Sequence, residues 1–275
     1  MFERNNLAVA NANKLIEKYC IKTPNQYSLE EILNAEGLFY TEEKLDGLAG
    51  NVVFSVNSGI ITVNSNLETE AQKIFTAAHE LGHFENERVT FKACAFEDIL
   101  GIKRSSPTET AANDFASELL MHKPWFVEFT ENKKFNTKLL SECAEYFSVS
   151  LSAAAFRYAE IGYTPSSIIM STNGIVRWSS ISKYFPYNFI RNGTKVHNMS
   201  YAFDIHSAIQ KYSLRKYTYE EMKHKFAEVP VEDDIPAYAW FNEDFFLNGN
   251  KNIRIMETNV AMPSYNSVLT ILWEV

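Results

Sequence analysis

Two imidazoles one helical turn apart, with a carboxylate next to the first, form the minimal set for metal-assisted hydrolysis. The run Ala77-Ala78-His79-Glu80-Leu81-Gly82-His83-Phe84 contains that set. At about 100° per residue, His79 and His83 share one face of a helix and can bind a single Zn2+. Glu80 is rotated off that face, near enough to reach a water without ligating the metal. The alternative, a pair of surface histidines, is disfavoured by Ile74, Ala77, Ala78, Leu81 and Phe84, which give the same helix an apolar stripe beside them. Gly82 costs about 1 kcal/mol of helix stability relative to Ala, so its place between the histidines predicts close approach of another element.

A catalytic zinc takes three protein ligands and keeps one position open. Downstream, Ser106-Pro107-Thr108-Glu109 has the form of a helix start, and the helix it opens offers Glu109 and Glu118. Glu109 shares the apolar face of Ala112, Phe115, Ala116 and Leu119, which points it inward. Glu118 falls roughly half a turn out of phase. Glu109 is therefore the expected third ligand, the alternative being a capping-box role with Ser106. Asn113, one turn further on, is either a partner for the His79 or His83 ring or a plain helix-surface asparagine. A donor for the oxyanion of hydrolysis is also expected. Tyr146, Tyr158, Arg157 and His122 are candidates, each better read as structural, and the sequence does not single one out.

Several elements must position these groups. Helical spacing marks 7–19 and 28–34. A β-hairpin is expected from 51–56 and 60–64 around Asn57-Ser58-Gly59, and Ser65 to Glu68 reads as a capping box opening the helix that runs to about Asn86. Two helices follow within 136–161, with a break at 148–150. Beyond Gly162-Tyr163-Thr164-Pro165 the sequence turns strand-like at 167–171, 175–181, 236–241, 252–260 and 267–275, around a helix near 218–226. The fold class is α+β. We expect three regions: a catalytic core over 1–135, a helix-turn-helix-like extension over 136–163, and a smaller mixed α/β carboxy-terminal domain over 164–275.

Of the 275 residues, 26 are basic and 34 acidic, and the resulting charge of −8 argues against a general nucleic-acid binder. No apolar run reaches membrane-spanning length, and Cys20, Cys94 and Cys143 form no C-x-x-C pair. The expectation is a cytoplasmic protein with reduced thiols and no membrane partner.

The hairpin ending in Ile61-Thr62-Val63-Asn64, the run Phe75 to His83, and the second motif Glu109-Thr110-Ala111-Ala112-Asn113-Asp114-Phe115-Ala116-Ser117-Glu118-Leu119-Leu120-Met121 resemble, over about residues 7–160, the ImmA/IrrE family of cytoplasmic zinc metallopeptidases. The resemblance implies a zincin-like, gluzincin-type core in which His79, His83 and Glu109 bind one zinc and Glu80 is the catalytic glutamate. It also implies a protein substrate, a helix-turn-helix repressor whose cleavage releases stress-response or mobile-element genes. Two positions depart from the family pattern: Ala111 stands where a second acid is common, and His122 where the helix often ends in proline.

The segment from Leu140 to Tyr158 has a helix-turn-helix rhythm but almost no cations besides Lys138 and Arg157, so packing or repressor docking is expected of it rather than DNA binding. The carboxy-terminal domain suits a sensor or docking module for a signal or ligand. The competing class is a non-enzymatic DNA-binding or interaction regulator with a structural zinc site, which Cys94 would close as a fourth ligand.

Overall fold

The computed structural model describes residues 5–55, 58–87, 91–99, 106–182, 184–187, 190–213, 232–241 and 252–275. Two compact units divide the chain, Glu3–Lys133 with Ser141–Arg157, and Lys134–Leu140 with Tyr158–Val275.

In the first unit, Asn5 opens α1 (Asn6–Lys18) by accepting from the Leu7 and Ala8 amides, each at 3.1 Å. α2 (Leu29–Ala35) starts from a reciprocal capping box. The Glu31 amide donates to Ser28 Oγ at 3.2 Å, and the Ser28 amide donates to Glu31 Oε2 at 2.7 Å. The expected hairpin forms from β2 (Leu48–Phe54) and β3 (Gly59–Asn64), antiparallel from Gly50 opposite Val63 to Phe54 opposite Gly59. Two strands were not foreseen. β1 (Leu38–Glu43) pairs parallel with β3, and β4 (Phe91–Ala95) pairs antiparallel with β2. The sheet order is β1-β3-β2-β4.

The site helix α3 (Glu70–Glu87) begins later than Ser65 to Glu68 suggested. Asn64 is the reason: its buried amide donates to the Leu45 and Leu48 carbonyls, at 2.6 Å each, and accepts from the Asn66 amide at 3.0 Å, which holds the chain in a turn. The working capping box is Thr69 with Gln72, at 3.1 and 3.2 Å.

A one-turn helix, α4 (Phe96–Ile99), precedes α5 (Pro107–Leu120), which Ser106 caps as expected. Next come α6 (Lys123–Thr130), α7 (Thr137–Tyr146) and α8 (Leu151–Ile161). Apolar residues of α1, α2, the sheet, α3 and α5 share one core that includes Ala12, Leu33, Val52, Ile61, Leu81 and Phe115. Gly82 explains how closely α3 and α5 approach: a β-carbon there would lie 3.0 Å from Ala112 Cα and 3.1 Å from the Ala112 carbonyl oxygen.

The second unit is built on an antiparallel sheet of β5 (Ser166–Thr172), β6 (Ile175–Ile181), β7 (Glu232–Pro236), β8 (Arg254–Met262) and β9 (Ser267–Glu274), in the order β6-β5-β9-β8-β7. α9 (Tyr201–Ser213) packs its buried Ala202, Ile205 and Ile209 into that unit's core. The helix expected near 218–226 lies outside the described residues. The run at 236–241 is corrected from strand to turn: β7 ends at Pro236, and Tyr238–Phe241 is a single helical turn in which the Phe241 amide donates to the Ala237 carbonyl at 3.0 Å. Buried Glu257 ties the pieces together by accepting from Ser200 Oγ, the Ala202 amide, Asn259 Nδ2 and Trp240 Nε1 at 2.7–3.0 Å. Among the described residues, no helix is long and apolar enough to cross a membrane.

Candidate metal centre

His79 and His83 stand one turn apart on α3 with their Nε2 atoms 3.1 Å apart. Glu109, in the first turn of α5, sends Oε2 to 3.1 Å from His79 Nε2 and 3.4 Å from His83 Nε2. The capping alternative is therefore only half realised. The Glu109 backbone amide faces Ser106 Oγ at 3.4 Å, while the carboxylate reaches across to α3. All three groups are buried. Around a metal with bonds of about 2.0 Å, tetrahedral donors lie about 3.3 Å apart, so the three separations suit one small cation such as Zn2+.

The outer side of the His79 ring is also held. Asn113 Nδ2 donates to the Asp98 carbonyl at 3.0 Å, which turns Oδ1 toward His79 Nδ1 at 2.9 Å. His79 Nδ1 then donates to Asn113, and Nε2 is the nitrogen that a metal held with Glu109 and His83 would take.

Glu80 points off the histidine face, as its position in the helix requires. It is fully buried, and among the described residues neither carboxylate oxygen has a hydrogen-bond partner beyond the Cys94 thiol. Burial pushes its carboxyl up to about 7, with His79 and a hydrogen bond from the Cys94 thiol acting the other way. Gly50 of β2 makes room for it: a β-carbon at that position would meet Thr76 Cγ2 at 2.7 Å and Glu80 Oε1 at 3.0 Å. For Glu109, burial acts upward, but hydrogen bonds with His79 and His83 outweigh it and hold the carboxyl well below the usual range. Its other oxygen, Oε1, pairs with Lys92 Nζ at 3.1 Å.

A fourth donor joins the cluster from the strand that sequence reasoning missed. Cys94 Sγ lies 3.2 Å from His83 Nε2, and the ligand atoms of His79, His83, Cys94 and Glu109 all fall within 4.8 Å of one another. Burial, then Glu80 and Glu109, push this thiol up. Lys92 and Cys94 sit two apart on β4, so the strand period turns both to one face. The alternation Lys92-Ala93-Cys94-Ala95 was the available signal, but five residues with a lysine make a weak strand.

Glu118, expected to face outward, is instead buried. It pairs with Arg157 Nη2 at 2.7 Å and with His122 Nδ1 at 2.9 Å. The half-turn argument failed because α8 brings a charged partner to that second face of α5. Arg157, fully buried, also donates to the Met121 carbonyl at 2.9 Å, so two of the four oxyanion candidates are occupied around Glu118. Tyr146 stacks on Phe129, and Tyr158 stacks on Phe135 with its hydroxyl 3.4 Å from Thr164 Oγ1.

Residues 38–158 match the family model Peptidase M78, described as the IrrE N-terminal-like domain. This segment is an M78 domain. The match contains every residue of the cluster, and M78 domains form a metallopeptidase family, in line with the ImmA/IrrE resemblance. Among solved structures, a Mycobacterium tuberculosis transcriptional regulator superposes with a TM-score of 0.60 at 12% identity, covering 98% of this chain and 77% of that one. The likeness shows a shared fold extending beyond the M78 domain. A search for curated relatives by sequence returns no match.

Proposed function

We propose that this protein is a zinc-dependent regulatory endopeptidase that cleaves a helix-turn-helix repressor. The observation that carries the reading is the pairing of a three-donor cluster, His79, His83 and Glu109, with a fully buried Glu80 beside it. A Zn2+ held there would supply Lewis acidity, favouring deprotonation of water and polarising a peptide carbonyl. Glu80 takes the proton of the attacking water and delivers it to the nitrogen of the breaking C–N bond, a task suited to a buried carboxylate next to the metal-binding histidine. Asn113 keeps His79 in the tautomer that can bind a cation.

The repressor as substrate is supported by the M78 match and by the acidic chain, which suits a protein partner better than DNA. Buried Arg157 removes one of the few cations that a DNA-reading role for 136–163 would need. A cavity of about 490 Å3 in the second unit, lined by Lys195, Phe203, His206 and Gln210 among others, supports a sensory role there.

One observation favours a second reading. Cys94 beside His83 offers a fourth ligand, the number that structural zinc sites use. Incubating the purified protein with each helix-turn-helix regulator of its host separates the two. The peptidase reading expects one or a few of them to be cut by the wild type or by Cys94→Ala, and by neither once Glu80→Gln is added. No Glu80-dependent cut in any of them by either protein favours the structural site.

A further inference from the structure

Four donors converge from three elements: His79 and His83 from α3, Glu109 from α5 and Cys94 from β4. The Cys94 placement is built into the sheet. The β2–β4 register shifts between Leu48 and Gly50, directly opposite Ala95 and Cys94, and an irregularity of this kind re-aims side chains at a sheet edge. Cys94 is 1% exposed, with Ala49, Ile99 and Phe75 packed around it, and its sulfur is 3.2 Å from the nearest imidazole nitrogen. A thiol needed only for packing has no reason to face the donor atoms of two histidines and a glutamate. Three of these ligands leave an open position, and four close it.

We infer that Cys94 is a fourth ligand of the metal, so that the resting centre is closed and the peptidase latent until the sulfur gives up its position to water. The inference rests on the peptidase reading and adds its regulation. Metal uptake releases the thiol proton to solvent. On opening, the sulfur leaves with its electron pair and regains a proton, and a water enters with its own pair, so the exchange needs no oxidant or reductant. β4 lies at the edge of the four-stranded sheet, paired along one side with β2, which is where a small displacement disturbs the fewest strand bonds. Glu80 already stands buried beside the centre, so release of the sulfur opens a position next to the carboxylate that handles the water proton.

Full-length wild type loaded with zinc tests the ligand without any variant. X-ray absorption should contain one sulfur scatterer at about 2.3 Å. In the cobalt-substituted protein a thiolate-to-metal charge-transfer band should appear and be lost in Cys94→Ser. Zinc affinity, read by competition with a chromophoric chelator, should fall at least about tenfold in Cys94→Ala, since loss of mere outer-shell partners already costs that much. Acetohydroxamate, which needs an open position, should perturb the cobalt spectrum of Cys94→Ala at concentrations that leave wild type unchanged. Nitrogen and oxygen scatterers alone, or an equal response to acetohydroxamate in both proteins, overturns the inference. Glu80-dependent proteolysis in a protein without a sulfur ligand would do so while leaving the peptidase reading intact. Failure to take up any metal overturns both, and a sulfur ligand with no Glu80-dependent cleavage even in Cys94→Ala overturns the latch and the peptidase reading together.

Discussion

Asn113 Oδ1 accepts from His79 Nδ1 at 2.9 Å, and the same asparagine is itself fixed by the Asp98 carbonyl. The contact orients an imidazole whose other nitrogen faces Glu109. Asn113→Ala should keep the fold and lower zinc affinity by about 10- to 100-fold, as loss of such outer-shell partners does. Chelator competition measures this, and an unchanged affinity would show that Asn113 merely fills space.

The ion pair of Glu118 with Arg157 is almost fully buried on both sides, at 2% and 0% exposure. Removing one partner strands the other charge, so Arg157→Met should cost about 3–5 kcal/mol. The double variant Glu118→Gln with Arg157→Met should recover part of that loss. Denaturant unfolding of the singles and the double gives the coupling; strictly additive losses would contradict it.

Gly82→Ala sets two effects against each other. Helix propensity gains about 1 kcal/mol, but the new methyl meets the backbone of Ala112, which cannot swing aside as a side chain would. We expect a net loss of about 1–2 kcal/mol and a lower Tm. A raised Tm would show that α5 yields at little cost.

His206 in the second unit is buried, with Nε2 2.8 Å from Ser171 Oγ, and burial pushes its pKa down from 6.5 to about 4. The unfolded chain therefore binds a proton that the folded one refuses. The contribution to stability is fully present above pH 6.5 and is lost as pH falls from 6.5 through 4, to a total of about 3 kcal/mol. Replacement by Gln should flatten this dependence in acid unfolding of the whole chain, and an unaltered pH profile would contradict the assignment.

The sequence carried α3, α5 and the hairpin of β2 and β3 because each is written locally, in helical spacing, a capping serine or β-branched runs. His79, Glu80, His83, Glu109 and Asn113 were legible for the same reason, since two helices with defined phases hold them all. Cys94 joins them through a pairing with β2 across some forty residues of chain, and no local pattern encodes that distance. Glu118 misled because its partner Arg157 arrives from a helix further along. α9 was not among the expected elements, although Ala202, Ile205 and Ile209 carry helical spacing.

The central claim, a Glu80-dependent peptidase built on His79, His83 and Glu109, is tested most directly by comparing newly formed protein amino termini in host cells that express wild type or Glu80→Gln. Mass spectrometry should find new termini in one or a few helix-turn-helix regulators with wild type, and at least about a hundredfold fewer with Glu80→Gln. Equal zinc content in the two purified proteins would tie that loss to Glu80 itself. Identical termini in both strains, under every stress that alters expression of the regulators, would contradict the account.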